Sequence, residues 1–469
     1  MLDKHPHSQF PQDMHIPSPQ FAIISMVLIL ISMGITIALT TNPFYPISLL
    51  IGLILLSYYV VKAIESIEYA LPPIVCLFWL VYFEPAPCDI LAAVAITIYL
   101  LNICIGKEVI HRLSFPDIAL LSFLLFNLAG SLKSQHLSVS ALHFSLSFYL
   151  IIFYFLFSRT IKSYSQLDKL IKYYAIPCTI TAFVMIFQWY SFGDPLFFGV
   201  KSIFDSLQTS TASFIPFYSG RTFMEWGRSN AFFKDPNVAG PFLIPIVIFS
   251  LAMMIHKREY YKYFIPLAAL CSIAVFLSLS RGAAASLIIG IALVLTLSFN
   301  LRNIFKISII LTCLITSVLI GYFLSDTKFN RFTDTNFGMD TRLERLENGL
   351  ETIKENSIIG VGFDKKAPHD SFLARFTQAG IIGGLSFLCF YAYLIFVLFS
   401  KYRQANNVDE KTINLTLLVT LLTSIPLGLV IDMIHWRHFW FFAALSSAAI
   451  RIKQDQFLTI FNNSNVHNS

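Results

Sequence analysis

Arg281 stands alone in the apolar run SLSLSRGAAASLIIGIALV, between two segments so close together that only a tight turn can join them. A charge in such a setting normally faces a bundle interior or a water-filled cavity and has a partner, although a long arginine also snorkels to an interface. Arg228 opens RSNAFFKDPNVAGPF, a polar and aromatic approach to another long apolar segment, and Arg221 lies close by in the sequence. His369 marks the point where a long polar interval returns to apolar sequence. Its imidazole, with an ordinary pKa of about 6.5, can take up a proton at ambient pH, or can serve only as a hydrogen-bonded interfacial residue. Two arginines and a histidine suit the displacement of a lipid diphosphate from a sugar's anomeric carbon. Arginine stabilises the charge that develops on the leaving diphosphate bidentately and without a metal. The histidine accepts the proton of the attacking hydroxyl, a general-base gain of roughly a hundred- to ten-thousand-fold.

Other polar residues stand near these three. Asp235-Pro236-Asn237 suits a helix start, because proline in the first turn loses no hydrogen bond and Asp or Asn caps the free N–H groups; Asn237 is also a candidate supporting residue. Asp370 follows the histidine directly, and Arg437 belongs to a short polar turn at 435–437. The signatures of other chemistries are missing. There is no GxxxxGK[ST] loop, Gly360-x-Gly362 does not follow a strand, and neither HExxH nor DxD occurs. Glu84 and Asp89 share a loop, but no carboxylate pair is placed to flank a glycosidic bond. The seven cysteines form no CxxC pair, and nothing fixes the geometry of His5, His7 and His15, so neither a metal nor a cofactor is expected.

The composition says what must position these residues. Of the residues, 56% are hydrophobic and 13% charged, against roughly 25% charged in soluble proteins. The apolar residues cluster in runs of about twenty, the length that crosses a bilayer as a helix. An all-α polytopic transmembrane bundle follows, with spans expected at 21–39, 46–64, 67–83, 89–105, 115–130, 139–157, 170–190, 238–255, 261–279, 282–299, 304–324, 372–399, 412–433 and 436–450, about twelve to fourteen in all. They form a single membrane domain over 21–452, between cytoplasmic tails at 1–20, expected to be disordered, and 453–469. Lys107 and Arg112, then Arg159, Lys162, Lys169 and Lys172, then Lys257, Arg258 and Lys262, then Arg302 and Lys306, then Lys401, Arg403 and Lys411 occupy alternate loops. By the positive-inside rule those loops and both termini are cytoplasmic. The net charge of +6 is spread over short loops with no continuous basic stripe, so no nucleic-acid partner is expected.

The same scheme puts 191–237, the turn at Arg281, 325–371 and the turn at 435–437 on the outer face. The interval 325–371 is the longest polar interruption of the apolar sequence. Within it Thr341-x-x-Glu344 resembles a capping box, and Leu343, Leu346, Leu350 and Ile353 recur at helical spacing. The spacing predicts an amphipathic helix whose apolar stripe rests on a membrane or on other helices, lying flat over a cavity mouth with that face buried.

Three stretches, RSNAFFKDPNVAGPFL (228–243), SLSRGAAASLIIG (278–290) and RLERLENGLETIKENSIIGVGFDKKAPHDSFLARFTQAGIIGGLSF (342–387), resemble the O-antigen ligase and polymerase family of bacterial inner-membrane glycosyltransferases. The resemblance covers the C-terminal half of the chain. It implies metal-independent transfer of a glycan from undecaprenyl diphosphate to an acceptor hydroxyl, on lipid A core or a growing glycan, at the outer face of the inner membrane. It also implies that Arg281 and Arg228 bind the donor diphosphate and that His369 is the catalytic base. Two positions depart from the family's habit: Asp370 stands where an asparagine is common, and Gln378 where a glutamate is. An aspartate beside the base would raise the histidine's pKa by charge. Competing readings are an inactive relative and a transporter or flippase of lipid-linked glycans, for which the prolines inside spans (Pro241, Pro245, Pro266, Pro426) speak. Against the latter, the polar candidates gather at one face and not at the midplane.

Overall fold

The computed structural model describes residues 45–81, 86–108, 112–190, 229–233, 235–298, 339–363 and 368–466. Every regular element among them is helical. The α-helices are α1 (Tyr45–Glu65), α2 (Leu71–Cys76), α3 (Pro87–Cys104), α4 (Phe115–Lys133), α5 (Leu137–Thr160), α6 (Tyr164–Tyr190), α7 (Pro236–His256), α8 (Tyr261–Leu277), α9 (Arg281–Leu297), α10 (Met339–Glu355), α11 (Ser371–Gln404), α12 (Val408–Gly428) and α13 (Arg437–Val466), with 3-10 turns at Ile67–Ala70 and Arg258–Tyr260. Seven of these helices, α3 to α7, α11 and α12, are long and apolar enough to cross a membrane. The chain is an all-α polytopic bundle. The expected spans at 21–39 and 304–324, the tail 1–20 and most of the loop 191–237 lie outside the described residues.

Helix starts follow local capping chemistry. Asp89 accepts from the Ala86 N–H at 3.0 Å and Asp117 from the Ser114 N–H at 2.8 Å, each from the third position of its helix, with proline in the first turn. Asp235 caps α7 by accepting from the Asn237 N–H at 2.8 Å, and Asn407 caps α12 through the Asp409 N–H at 2.9 Å. Inside, aromatic rings from separate helices interlock. Phe441 of α13 packs edge-on against Phe78 and Phe157, and Tyr174 of α6 packs edge-on against Phe442.

Three expectations change. The span at 67–83 is a 3-10 turn followed by the six-residue α2, all of whose residues are buried. Pro72 and Pro73 lack the N–H groups that a helix continuing from 67 would need, so a new helix starts with them in its first turn. The helix expected at 436–450 continues as α13 to Val466, into the expected tail. The span at 372–399 belongs to the longer α11, which is broken at Gly380 (φ 71°, ψ −176°).

That break is filled by another part of the chain. Within it, the Thr377 carbonyl accepts from the Val361 N–H at 2.9 Å and the Gln378 carbonyl from the Gly362 N–H at 3.2 Å, while the Ile381 N–H donates to the Ser357 carbonyl at 2.8 Å. A Cβ on residue 380 would stand 2.1 Å from the Ile358 carbonyl oxygen, so only glycine admits this approach. The segment before His369 is thereby fixed to the helix after it.

Candidate functional site

The site is built where α9 and α11 meet the turn that joins α12 to α13. Ser280 caps α9 by accepting from the Ala283 N–H at 3.4 Å, which makes Arg281 the first helical residue, partly exposed. The next residue, Gly282, lies so close to the end of α12 that a Cβ there would stand 3.0 Å from Val430 Cγ2 and 3.4 Å from Leu427 Cδ1. On the other side, Ser371 Oγ donates to the Ile431 carbonyl and accepts from the Met433 N–H, both at 2.8 Å. A Cβ on Gly428 would stand 2.9 Å from the Phe372 ring. Residues 427–433 are thus clasped between the start of α9, which carries Arg281, and the start of α11, which follows His369.

His369 is exposed, directly before the cap of α11. Asp370 is that cap: its Oδ1 accepts from the N–H groups of Phe372 and Leu373, each at 2.7 Å. Burial pushes the Asp370 carboxyl above its ordinary pKa and the nearby Asp432 adds to this, while the two cap hydrogen bonds oppose them. The aspartate expected to tune the histidine by charge is also the group that fixes the backbone on which the histidine stands.

Asn237 occupies the first turn of α7, where its N–H serves the Asp235 cap. The approach to that helix is held by Gln188 of α6, whose Oε1 accepts from the Asn230 and Ala231 N–H groups at 3.1 and 2.8 Å. The Ser229 N–H donates to the Leu277 carbonyl at 3.2 Å, close in sequence to the Arg281 turn. Arg228 and Arg221 lie outside the described residues. Arg437 is committed elsewhere: it grips both oxygens of Asp89, which also accepts from Tyr149 Oη at 3.0 Å, so it ties α13 to α3.

Sequence reasoning missed Arg375 and Asp432. Arg375 is completely buried one turn into α11, and its Nη2 donates to Asp432 Oδ2 at 2.6 Å. His435 Nε2 is 3.4 Å from the same oxygen. Burial alone would raise the Asp432 pKa, but the Arg375 charge, followed by His435 and the Ile434 N–H, holds the carboxyl well below the usual range. Among the described residues Arg375 Nε and Nη1 find no hydrogen-bond partner. The available signal was a charge inside the apolar run SFLARFTQAG, the same signal that singled out Arg281.

The amphipathic helix exists as α10, but the three leucines of its stripe are not covered by the bundle, while Ile353 is half-buried. Leu343, Leu346 and Leu350 are 58, 40 and 46% exposed. The side that packs is marked by Gly349, where a Cβ would stand 2.4 Å from Pro368 Cγ and 3.4 Å from Leu373. The Gly360-x-Gly362 segment seats its backbone in the α11 break, and the Phe363 ring stacks on His143 at 3.4 Å and 10°. Among the described residues no group of three or more His, Cys, Asp or Glu is placed to hold a metal ion.

The polar features share one end of the bundle. Lys133, at the end of α4, donates to Asn356 at 2.7 Å, and Ser140, at the start of α5, donates to the Phe363 carbonyl at 3.0 Å. These contacts bring 356–363 to the end where α11 begins. No curated protein matches the chain. The model of the O-antigen ligase family matches residues 266–388, which include Arg281, the Gly360–Gly362 turn, His369 and the break in α11. Through this segment, at the heart of the α9–α11 junction, the chain is similar to the O-antigen ligase family.

Proposed function

We propose that this protein is an inner-membrane glycosyltransferase that moves a glycan from undecaprenyl diphosphate to an acceptor hydroxyl at the periplasmic face, the acceptor being lipid A core or a growing glycan. The observation that carries the reading is the junction of α9 and α11 on residues 427–433, within reach of both Arg281 and His369 along the chain and built largely from the family-matched segment.

In this reading Arg281 and Arg228 grip the donor diphosphate through planar, bidentate hydrogen bonds. These strengthen as negative charge moves onto the leaving group. His369 removes the proton of the acceptor hydroxyl as its oxygen bonds to the anomeric carbon and the carbon–oxygen bond to the diphosphate breaks. Asp370 holds the histidine's backbone through the α11 cap. Asn237 and Arg221 stand beside the donor as supporting residues, and Arg437 contributes by anchoring α13. The two guanidinium groups supply the stabilisation, so the reaction needs no metal or cofactor.

The test uses the full-length protein in nanodiscs with an undecaprenyl-diphosphate glycan and, in separate arms, lipid A core or a second lipid-linked repeat unit. Undecaprenyl diphosphate is expected to be released in step with glycan transfer to one of the two acceptors, equally with and without EDTA. Failure to transfer to either acceptor from a bound donor contradicts the transferase reading, and loss of activity in EDTA contradicts the metal-free chemistry.

A further inference from the structure

The turns that lead into α7 and α9 share an unusual backbone. Among the described residues, the non-glycine residues with positive φ are Ala231 and Leu279, each at 48°. A Cβ disfavours that conformation, which glycine adopts freely. Neither residue sets its turn by its own preference, so the shape is imposed by neighbours. Both are buried, and each stands close to a candidate site residue: Leu279 two positions before Arg281, and Ala231 in the turn that leads to Asn237.

The neighbours that impose it are consecutive residues at the end of α6. Gln188 is buried and applies both ends of its amide to one turn: Oε1 accepts from the Asn230 N–H at 3.1 Å and the Ala231 N–H at 2.8 Å, and Nε2 donates to the Ala231 carbonyl at 3.2 Å. Together these bonds fix the backbone on both sides of the Ala231 Cα. Trp189, about 100° further round the helix, forms a small buried core with Leu277 and Leu279, apart from the main one. The turns are also tied to each other, since the Ser229 N–H donates to the Leu277 carbonyl at 3.2 Å. All of these contacts lie on the Arg281 side of the site. His369 stands on the other side, before a helix start held by Asp370 and Ser371.

We propose that Gln188 and Trp189 are positioning residues for the donor half of the reaction: they hold the α7 and α9 turns in a shape neither turn keeps alone, and so fix Asn237 and Arg281 relative to one another. Neither residue touches the substrate. The inference rests on the transferase reading, in which these turns serve the donor, and deepens it. The site then has two independently supported halves, one set by the end of α6 and the other by the cap of α11.

The experiment measures steady-state transfer by the full-length protein in nanodiscs, varying the undecaprenyl-diphosphate glycan and the acceptor separately, alongside the melting temperature. Gln188→Met keeps the side chain's length but makes none of those hydrogen bonds. It is expected to raise KM for the donor by roughly ten- to a hundred-fold, the scale of loss from a binding group displaced by about 1 Å, and to leave KM for the acceptor unchanged. Gln188→Glu still accepts from both N–H groups and is expected to retain most of the donor affinity. Glycine holds a positive φ unaided, so Gln188→Met combined with Ala231→Gly is expected to recover much of the loss. Trp189→Phe trims the support under Leu279 and is expected to raise donor KM alone, by less; it carries the test if Gln188→Met does not fold. A lowered melting temperature with both KM values unchanged reduces these residues to structural ones and overturns the proposal. A parallel rise in both KM values, or a double variant no better than Gln188→Met, overturns it as well. Wild-type protein that neither binds the donor nor transfers glycan overturns the transferase reading itself, an outcome distinct from the absence of a donor-selective defect in the variants.

Discussion

At the scale of single residues, Arg375 shows how this bundle keeps a charge where water cannot reach it. The residue is completely buried, its counter-ion Asp432 lies 57 residues away in the sequence, and the two meet only because Ser371 pins the turn that carries Asp432. The run SFLARFTQAG advertised the arginine, but no local pattern advertised its partner, because an ion pair between distant segments leaves no spacing to read. Removing one member of such a pair strands a buried charge, whereas replacing both with apolar residues is often neutral. Arg375→Met is therefore expected to lower stability by roughly 3–5 kcal/mol, and Arg375→Met with Asp432→Leu to recover most of it in thermal unfolding. Acid should act through the same pair. The Asp432 pKa is depressed in the folded state, so its contribution is fully present above the ordinary carboxylate value of about 4 and is lost as pH falls toward the folded value. The melting temperature of the wild type should decline below about pH 4 more steeply than that of the double variant.

At the scale of elements, hydropathy made the long helices legible, and Asp235-Pro236-Asn237 marked where one of them begins. What periodicity could not tell was the partner of each face. The leucine spacing of α10 was read correctly as a helix, yet its apolar face is exposed and the face marked by Gly349 is the one that packs, since a stripe has the same period whether it meets protein or lipid. Likewise Gly360-x-Gly362 looked like a weak phosphate-loop signal and is a backbone insert into the break of α11. This explains why glycine is needed at 380, where φ is 71° and the Ile358 carbonyl occupies the place of a Cβ. Gly380→Ala is expected to cost more than the order of 1–3 kcal/mol that an unusual backbone conformation alone carries, because the 357–362 segment must also move. Asp370→Ala removes a helix cap and is expected to cost about 1 kcal/mol while slowing transfer through His369. If unfolding measurements rank Asp370→Ala as the more damaging of the two, the break in α11 is not the anchor of this region.

At the scale of the whole molecule, the bundle is tied at both ends by charges, of which the positive-inside argument treated Arg159 and Lys401 only as topology markers. Arg159 pairs with Asp117, Arg451 donates to the Ser158 and Ile161 carbonyls, and Lys401 donates to the Ala449 and Ile450 carbonyls, while Arg437 and Asp89 tie the other end. The alternation of loops should be readable with a membrane-impermeant thiol reagent on intact cells. A cysteine at His136 is expected to react from outside and one at Lys107 only after permeabilisation, and the reverse result would invert the site's proposed side. The central claim is that α9 supplies the grip on the diphosphate and the start of α11 supplies the base. Its most direct test is to measure donor affinity and single-turnover glycan transfer side by side for His369→Ala and Arg281→Lys in nanodiscs. His369→Ala should keep near wild-type affinity for the undecaprenyl-diphosphate glycan and lose transfer by at least a hundred-fold, and Arg281→Lys should lose both. Wild-type turnover in His369→Ala, or full affinity and turnover in Arg281→Lys, would contradict the account.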